Sequence, residues 1–289
     1  MAFHCRTLTP GIDLYWGDCR EVIEHLRETG QLVDFVLSDP PYGQDYVNEA
    51  GERIANDKEP PLWSVPLMAD LLKPDTAMCL FTSPKPKLMG AWMQAMLNAG
   101  LTLPYPPLIW HKVYGGVRPD RYFSPSRAHE MILQAFKGKP PRRRWVDAGR
   151  FKPDDPDAVM SHWDAGHIWT EPVPRYKRNR RHPTPKPPGV MERAMWHYTS
   201  LNDVVFDPFM GSGPVGVACV RSGRRYIGIE VERKYFNLAV ENIQRELVRQ
   251  TTVEVVKVCA ERAAARNIDA SSDRSLIVDA ETASTTSAT

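Results

Sequence analysis

Short apolar runs alternate with amphipathic stretches along most of the chain, and this alternation limits the available folds more than any other feature. The runs LVDFVLS at 32–38 and DVVFDPF at 203–209 are typical of buried strands, and turn-forming residues follow each run. Further strands are predicted at 12–16, 76–82, 108–110, 129–136 and 225–231, and helices at 19–29, 62–72, 87–98, 188–199, 214–223 and 233–249. Strands that alternate with helices form a mostly parallel sheet covered on both faces, so we expect an α/β protein.

Length and composition exclude several other classes of protein. The chain has 289 residues, enough for one large domain or one domain with an inserted segment, and its 42% hydrophobic and 25% charged residues are ordinary for a globular protein. No apolar run approaches the roughly 18 residues of a membrane span, and residues 1–10 lack the apolar core of a signal peptide. The 5 scattered cysteines contain no C-x-x-C pair, so we expect a reducing cytosol and no metal site.

The sequence SDPPYG at 38–43 follows one of the predicted buried strands. Ligands of open α/β sheets bind at the carboxyl ends of the strands. Pro40 and Pro41 donate no N–H, which leaves nearby carbonyls free to accept from a ligand. We interpret Asp39 and a backbone carbonyl as acceptors for the two N–H bonds of a planar amine, with Tyr42 stacked on its ring. The alternative is a proline-rich turn in which the aspartate caps its own backbone.

The sequence DPFMGSGP at 207–214 again leaves a strand and enters a helix. Its glycines permit a tight turn and a close approach of the backbone to a ligand, and Pro214 suits the first helical position. Glu230 ends the next strand, where it can bind a ribose diol. Residues 211–216 also match G-x-G-x-x-G, which by itself equally supports an NAD enzyme. An ordinary strand-to-helix turn is the simpler alternative.

Two weaker signals accompany these motifs. HPTPKP at 182–187 precedes a predicted helix, and a proline-punctuated linker would also explain it. Asp18 follows the first predicted strand as a further candidate polar contact, with a helix cap as the alternative.

Positive charge is concentrated in one proline-rich stretch. Residues 137–187 hold 13 Lys and Arg against 6 Asp and Glu, a balance of +7, and the densest points are RRR at 142–144 and RYKRNRR at 175–181. Clustered cations release counterions from a polyanion, which favours contact with nucleic-acid phosphates over a merely solvated surface insertion. Four interleaved aromatic residues are candidates for stacking on bases: Trp145, Trp163, Trp169 and Tyr176.

Together these motifs resemble the amino-group DNA methyltransferases that use S-adenosylmethionine, the N6-adenine/N4-cytosine family. SDPPYG is similar to the family's catalytic motif, VFDPFMGSG to its cofactor motif and HPTPKP to its H-P-T-x-K-P segment. The order of catalytic motif, basic stretch and cofactor motif resembles the circularly permuted beta group, over about residues 12–245. The chain departs from the family at three positions, where Gln or Thr is common: Pro185, Pro214 and Val215. Aspartate at position 39 implies adenine as the target, where serine goes with cytosine.

The resemblance implies a Rossmann-like, seven-stranded methyltransferase sheet with permuted motif order and a target-recognition insertion. The implied parts are a catalytic half at 1–112, a basic target-recognition region at 113–181, a cofactor-binding half at 182–250, and a C-terminal helix with a disordered tail at 251–289. The implied location is the cytoplasm of a bacterium or of a phage-infected host. The oligomeric state stays open, with a homodimer among the alternatives.

The resemblance also implies roles for individual residues. Catalysis falls to Asp39, Pro40, Pro41 and Tyr42, which act on a base flipped out of double-stranded DNA. S-adenosylmethionine is the implied cofactor, held by Asp18, Thr184, Lys186, Asp207, Pro208, Phe209, Gly211, Ser212, Gly213 and Glu230. DNA contacts are expected from Lys112, Arg142, Arg143, Arg144, Arg178, Arg180 and Arg181, and Trp110 lies with Lys112 in a strand beside the target pocket. Cytosine-N4 methylation, an NAD-dependent oxidoreductase and a non-catalytic DNA-binding protein are the alternatives.

Overall fold

A computed structural model describes residues 3–45, 57–112, 128–140, 168–171 and 186–253. These ranges form one nine-stranded sheet with helices packed on it. The strands are β1 (His4–Thr9), β2 (Ile12–Trp16), β3 (Val33–Ser38), β4 (Leu72–Thr82), β5 (Leu108–Lys112), β6 (His129–Lys137), β7 (Ile168–Glu171), β8 (Val204–Asp207) and β9 (Arg225–Glu230). The helices are α1 (Cys19–Glu28), α2 (Ser64–Leu71), α3 (Pro86–Asn98), α4 (Pro188–Tyr198), α5 (Pro214–Ser222) and α6, which covers residues 233–253.

The strand order across the sheet is β1-β2-β9-β8-β3-β4-β6-β5-β7. Seven strands run in one direction, whereas β1 and β6 run antiparallel to their neighbours. The α/β class is confirmed, and each of the seven predicted strands is present. Two edge strands, β1 and β7, extend the sheet beyond the expected seven.

Neither edge strand has a strong sequence signal. The first four residues of β1, HCRT, are exposed, so that strand lacks an apolar face that alternates with a polar one. β7 has only 4 residues and lies inside the proline-rich basic stretch. Pairing with β2 and with β5, respectively, makes these segments strands.

Trp169 of β7 corrects one prediction from the sequence. Its side chain is buried and stacks on the ring of His197 in α4, with ring centroids 5.5 Å apart and an interplanar angle of 11°. The expectation that Trp169 stacks on nucleic-acid bases was therefore wrong, because this indole forms part of the protein core.

The helices cover both faces of the sheet. Val22 of α1, Met68 of α2 and Trp92 of α3 belong to one apolar cluster with Val36 of β3. The adjacent Phe35 contacts Tyr198 of α4, with ring centroids 5.4 Å apart. Neighbouring residues of a strand point to opposite faces, so α1, α2 and α3 pack on one face and α4 on the other.

Local sequence explains where α1 begins and where α5 begins and ends. Asp18 caps α1, because its side chain accepts a hydrogen bond of 2.8 Å from the Arg20 N–H. Pro214 occupies the first turn of α5, and Gly223 ends that helix with a φ of +67°. Among the helices within the described ranges, none combines the length and the apolar character needed to cross a membrane.

The chain divides into two compact units, Met1–Gln244 and Arg245–Thr289. The first unit holds the whole sheet, including β6 and β7 from the range 113–181. In the second unit the structure describes residues 245–253, which are helical, and the predicted tail lies outside the described residues.

The central pair of parallel strands, β3 and β8, positions the two principal motifs. From β3 the chain continues to β4 on one side, and from β8 it continues to β9 on the other. Such a reversal of strand order opens a crevice at the carboxyl ends of the two strands, where ligands bind. The turn at 38–43 and the turn at 207–213 both leave the sheet at this crevice.

Candidate active site

A buried hydrogen bond joins the two motifs. Ser38, at the end of β3, donates through Oγ to Oδ1 of Asp207, at the end of β8, over 2.5 Å. The same carboxylate accepts from the Phe209 N–H at 3.2 Å and from the Tyr226 hydroxyl at 3.4 Å. Burial raises the pKa of Asp207 to about 7, although the bond from Ser38 lowers it.

The turn after β8 is held by backbone bonds. The Met210 N–H donates to the Ile229 carbonyl at 2.9 Å, and the Gly213 N–H donates to the Met210 carbonyl at 2.9 Å. Gly211 and Gly213 have φ values of +54° and +79°, which side chains adopt only with strain. A Cβ at Gly213 would also lie 3.0 Å from the Cβ of Ala239 in α6. The glycine at 213 is therefore required for helix packing as well as for the turn.

Glu230 supports the turn from the neighbouring strand. Its carboxylate accepts from the Gly211 N–H at 2.9 Å and from the Glu232 N–H at 2.8 Å. Burial raises the pKa of Glu230 to about 7, even though these backbone bonds favour the ionised form. Two buried carboxylates, at 207 and 230, therefore stand at the ends of adjacent strands with pKa values near neutrality.

Asp39 follows β3 and lies in a compact polar cluster. Its Oδ1 accepts a 2.8 Å hydrogen bond from the hydroxyl of Tyr42, and its Oδ2 forms a 2.8 Å ion pair with Nζ of Lys186. Lys186 was expected near the cofactor, whereas the structure pairs it with the predicted catalytic carboxylate. Burial raises the pKa of Asp39, and Lys186 opposes that effect.

Glu130 of β6 completes this cluster, although it belongs to none of the sequence motifs. Its Oε2 lies 3.0 Å from Nζ of Lys186 and 3.2 Å from the Tyr42 hydroxyl, whose single proton is shared with the closer Asp39. Its Oε1 pairs with Nζ of Lys112, the predicted DNA contact, which is only 18% exposed at its side chain. An acidic residue near the start of the mostly apolar segment HEMILQAF was the available sequence signal.

The cluster alternates in charge as Lys112, Glu130, Lys186 and Asp39, with two cations and two anions. Burial raises the pKa of Glu130, but Lys186 and Lys112 outweigh burial and lower it to about 2. Burial lowers the pKa of Lys186, but Asp39 and Glu130 outweigh burial and raise it. Each of these buried or partly buried charges therefore has an opposite partner, as charges removed from water require.

A second set of contacts anchors the turn that carries Asp39. The Gly43 N–H donates to the buried carboxylate of Asp57 over 2.6 Å, and a Cβ at Gly43 would clash with Pro60. The glycine therefore permits the close approach of this turn to Asp57 and Pro60.

The remaining predicted site residues have varied surroundings. Ser212 is buried, and its carbonyl accepts a 3.0 Å hydrogen bond from Asn242 of α6. Phe209 packs against the apolar cluster under α1, α2 and α3, and Asp18 acts as a helix cap. Pro208 lies between Asp207 and Phe209 in the turn. Outside the described residues lie Arg142, Arg143, Arg144, Arg178, Arg180, Arg181 and Thr184. Within the described part, no group of three or more His, Cys, Asp or Glu could hold a metal ion.

Comparison with known proteins identifies the family. The model of the N6/N4 DNA methylase family matches residues 33–241, which include both motifs and the strands that carry them. The chain belongs to this DNA methylase family. This methylase is 32% identical to the Escherichia coli (strain K12) protein YubD over 224 residues, which cover 76% of this chain and 84% of YubD. It is 34% identical over 80 residues to the DNA adenine methyltransferase YhdJ of the same strain, over 27% of each chain.

Solved structures have the same architecture. The methylase resembles the crystal structure of the M1.HpyAVI–SAM complex with a TM-score of 0.56 and 25% identity, over 79% of this chain and 97% of that chain. It shares its fold with the cytosine-N4-specific PvuII DNA methyltransferase, with a TM-score of 0.58 and 16% identity, over 83% and 92% of the two chains.

The methylase uses S-adenosylmethionine as its methyl donor, and the family match excludes the NAD-dependent oxidoreductase alternative. The carboxylates at the ends of β8 and β9 fit this cofactor. Its ammonium and ribose hydroxyl groups donate hydrogen bonds, and Asp207 and Glu230 offer buried carboxylates on adjacent strands. The helix N-terminus at Pro214 favours an anionic group such as its carboxylate.

Proposed function

We propose that this DNA methyltransferase transfers the methyl group to N6 of adenine in duplex DNA, and that the turn at 38–43 binds the target amine. The observation that carries the proposal is the position of Asp39. Its carboxylate lies at the carboxyl end of β3, next to the turn of β8, in the crevice between the two halves of the sheet. The amine acceptor and the cofactor motif are therefore neighbours.

The chemistry of an aromatic amine explains why such acceptors are needed. The lone pair of the exocyclic nitrogen is delocalised into the ring, which makes the nitrogen a poor nucleophile. Asp39 and the Pro40 carbonyl accept hydrogen bonds from the two N–H groups of this amine. These bonds shift the nitrogen toward tetrahedral geometry and free the lone pair. S-adenosylmethionine supplies an activated methyl group on its sulfonium sulfur. Holding both partners in line supplies the entropic part of the rate enhancement.

Tyr42 has two parts that serve this site. Its hydroxyl donates to Oδ1 of Asp39 and thereby orients the carboxylate. Its ring is proposed to stack on the flipped base, which offsets part of the few kcal/mol that flipping costs. Pro41, between Pro40 with its accepting carbonyl and Tyr42, restricts the backbone of the turn.

Asp207, Glu230 and the glycine turn at 211–213 are proposed to hold the methionine and ribose parts of the cofactor. The support is their common position at the ends of β8 and β9. Asp18, Thr184 and Lys186 stay proposed cofactor contacts, although the described contacts of Lys186 are with Asp39 and Glu130.

Residues 113–181 are proposed to recognise the DNA target, with the arginine run at 142–144 on phosphates. The support is their excess of positive charge and their place between the two motifs in the sequence. β6 and β7, which lie within this range, belong to the sheet. Lys112 is already paired with Glu130, so any DNA contact of this lysine would have to share it with that carboxylate.

Adenine is favoured over cytosine by the aspartate at position 39 and by the similarity to YhdJ. The test is to incubate the purified protein with S-adenosylmethionine and genomic DNA, to digest the DNA and to quantify nucleosides by mass spectrometry. We expect N6-methyladenine, and N4-methylcytosine in its place would contradict the adenine assignment. Asp39→Ala should lower methylation by orders of magnitude while S-adenosylmethionine still raises the melting temperature.

A further inference from the structure

Glu130 contacts Lys186, the lysine that is paired with the proposed amine acceptor Asp39. Both oxygens of Asp39 are occupied, Oδ1 by the Tyr42 hydroxyl and Oδ2 by Nζ of Lys186. Each carboxylate oxygen can accept a second hydrogen bond, but the Asp39 side chain is only 21% exposed, so an amine that docks there competes with these contacts for space. Lys186 is 5% exposed at its side chain, so its ammonium group cannot move into water when the amine arrives.

We propose that Glu130 is a positioning residue for methyl transfer, which holds Lys186 when the target amine replaces it on Asp39. This inference rests on the proposed role of Asp39. Its basis is that Oε2 of Glu130 lies 3.0 Å from the same Nζ, so Lys186 already has a second carboxylate partner. Without that partner, releasing Asp39 would leave a buried ammonium unpaired, which is strongly unfavourable.

Glu130 is itself held firmly enough to act in this way. Lys112 pairs with its other oxygen, and the Tyr42 hydroxyl, which donates to Asp39 at 2.8 Å, lies 3.2 Å from Oε2. β6 pairs with both β4 and β5, and the residue opposite Glu130 on β5 is Trp110. Lys186 and Lys112 hold the pKa of Glu130 well below its ordinary value, so this carboxylate is ionised at neutral pH.

The charged groups around Asp39 give the idea a measurable signature. The charged ones are Lys186 before α4, Glu130 on β6 and Asp207 at the end of β8, and the neutral hydroxyl of Tyr42 also faces Asp39. Glu130 raises the pKa of Asp39 by like-charge repulsion, whereas Lys186 lowers it. Loss of the Glu130 charge should therefore lower the pKa of Asp39 and leave Lys186 paired with Asp39 alone.

The experiment compares Glu130→Gln with wild type in single-turnover methylation of genomic DNA across pH. We expect the rate to fall at least about tenfold, the affinity for S-adenosylmethionine to change less than about twofold, and the acid limb of the pH profile to move to lower pH. The matched control is Asp34→Asn. Asp34 lies on β3, the strand that leads to Asp39, and its partly buried carboxylate pairs with Lys73 of β4. That control should keep the wild-type pH profile.

A second variant covers the outcome that Glu130→Gln folds poorly. The double variant Glu130→Gln with Lys112→Met removes one charge of each sign and restores the balance of the cluster. It should fold and keep the slow rate, because Lys186 still lacks its second carboxylate. Wild-type rate and pH profile in a folded variant without Glu130 would overturn the inference. Full activity in Asp39→Ala would instead overturn the proposed function, so the two failures are distinguishable.

Discussion

Neutralising Asp207 should reduce the pH dependence of the protein's stability, because burial raises the pKa of this carboxyl from its ordinary 3.8 to about 7. The folded state then binds the proton more tightly than the unfolded state does. Stability from this group is full below the unfolded pKa and is lost as the pH rises through the folded pKa. The loss therefore occurs between about pH 4 and about pH 7.

The size of the effect follows from the shift. A shift of about 3 units corresponds to about 4 kcal/mol in total, and about 2.5 kcal/mol of it falls between pH 5 and pH 8. Glu230 has a pKa raised to about 7 by burial, so it acts in the same direction. Between pH 5 and pH 8 the two carboxyls should thus lower the free energy of unfolding of the wild type by about 5 kcal/mol. In Asp207→Asn the decrease should be about half as large.

Asparagine suits the site because it preserves the local hydrogen bonds. Its amide oxygen can accept from Ser38 and from the Phe209 N–H, and its amide nitrogen can donate to the Tyr226 hydroxyl, which lies 3.4 Å from Oδ2 in the wild type. The substitution therefore removes the charge without creating a cavity.

The assay is urea unfolding of both proteins at several values between about pH 5 and about pH 8, with the free energy of unfolding plotted against pH. Glu24→Gln is the matched control, because that carboxylate is exposed on α1 and water screens its charge. Parallel plots for wild type and Asp207→Asn would refute the argument that burial raises the pKa of Asp207.

Three further predictions concern the cofactor turn and the basic stretch. S-adenosylmethionine should bind more tightly as the pH rises through about 7, because the ionised form of Glu230 is the better hydrogen-bond acceptor. In calorimetry, Glu230→Gln should weaken this binding and make it less dependent on pH. Gly213→Ala should lower the free energy of unfolding by at least about 1 kcal/mol in urea unfolding, through the positive φ and the contact with Ala239; an unchanged value would contradict this packing. Replacing the arginine run at 142–144 by alanines should reduce the salt slope of DNA affinity by about one per charge removed, with unchanged cofactor binding as control; an unchanged slope would show a solvated surface.

Much of the fold could be predicted because its signals are local. Each predicted strand in the sheet's interior, such as 32–38 and 203–209, is an apolar run bounded by turn residues, and burial on both faces of a parallel sheet requires such runs. β1 and β7 could not be predicted, because an exposed edge strand and a strand of 4 residues carry too few buried positions to form a pattern. Trp169 was misassigned for a related reason: its neighbours in sequence are basic and proline-rich, but its neighbours in space are core residues.

The sequence by itself determined the type of chemistry. The residues that carry it, Asp39–Tyr42, are consecutive in the chain, so their combination is visible without a structure. Only the tertiary structure decided which groups surround these residues. Glu130 and Lys186 are 56 positions apart in the chain. Their charges meet because β6 pairs with β4 and Lys186, just before α4, lies against the start of β6. Burial there makes each charge depend on its partners, and burial is a property of the packed chain that local sequence does not contain.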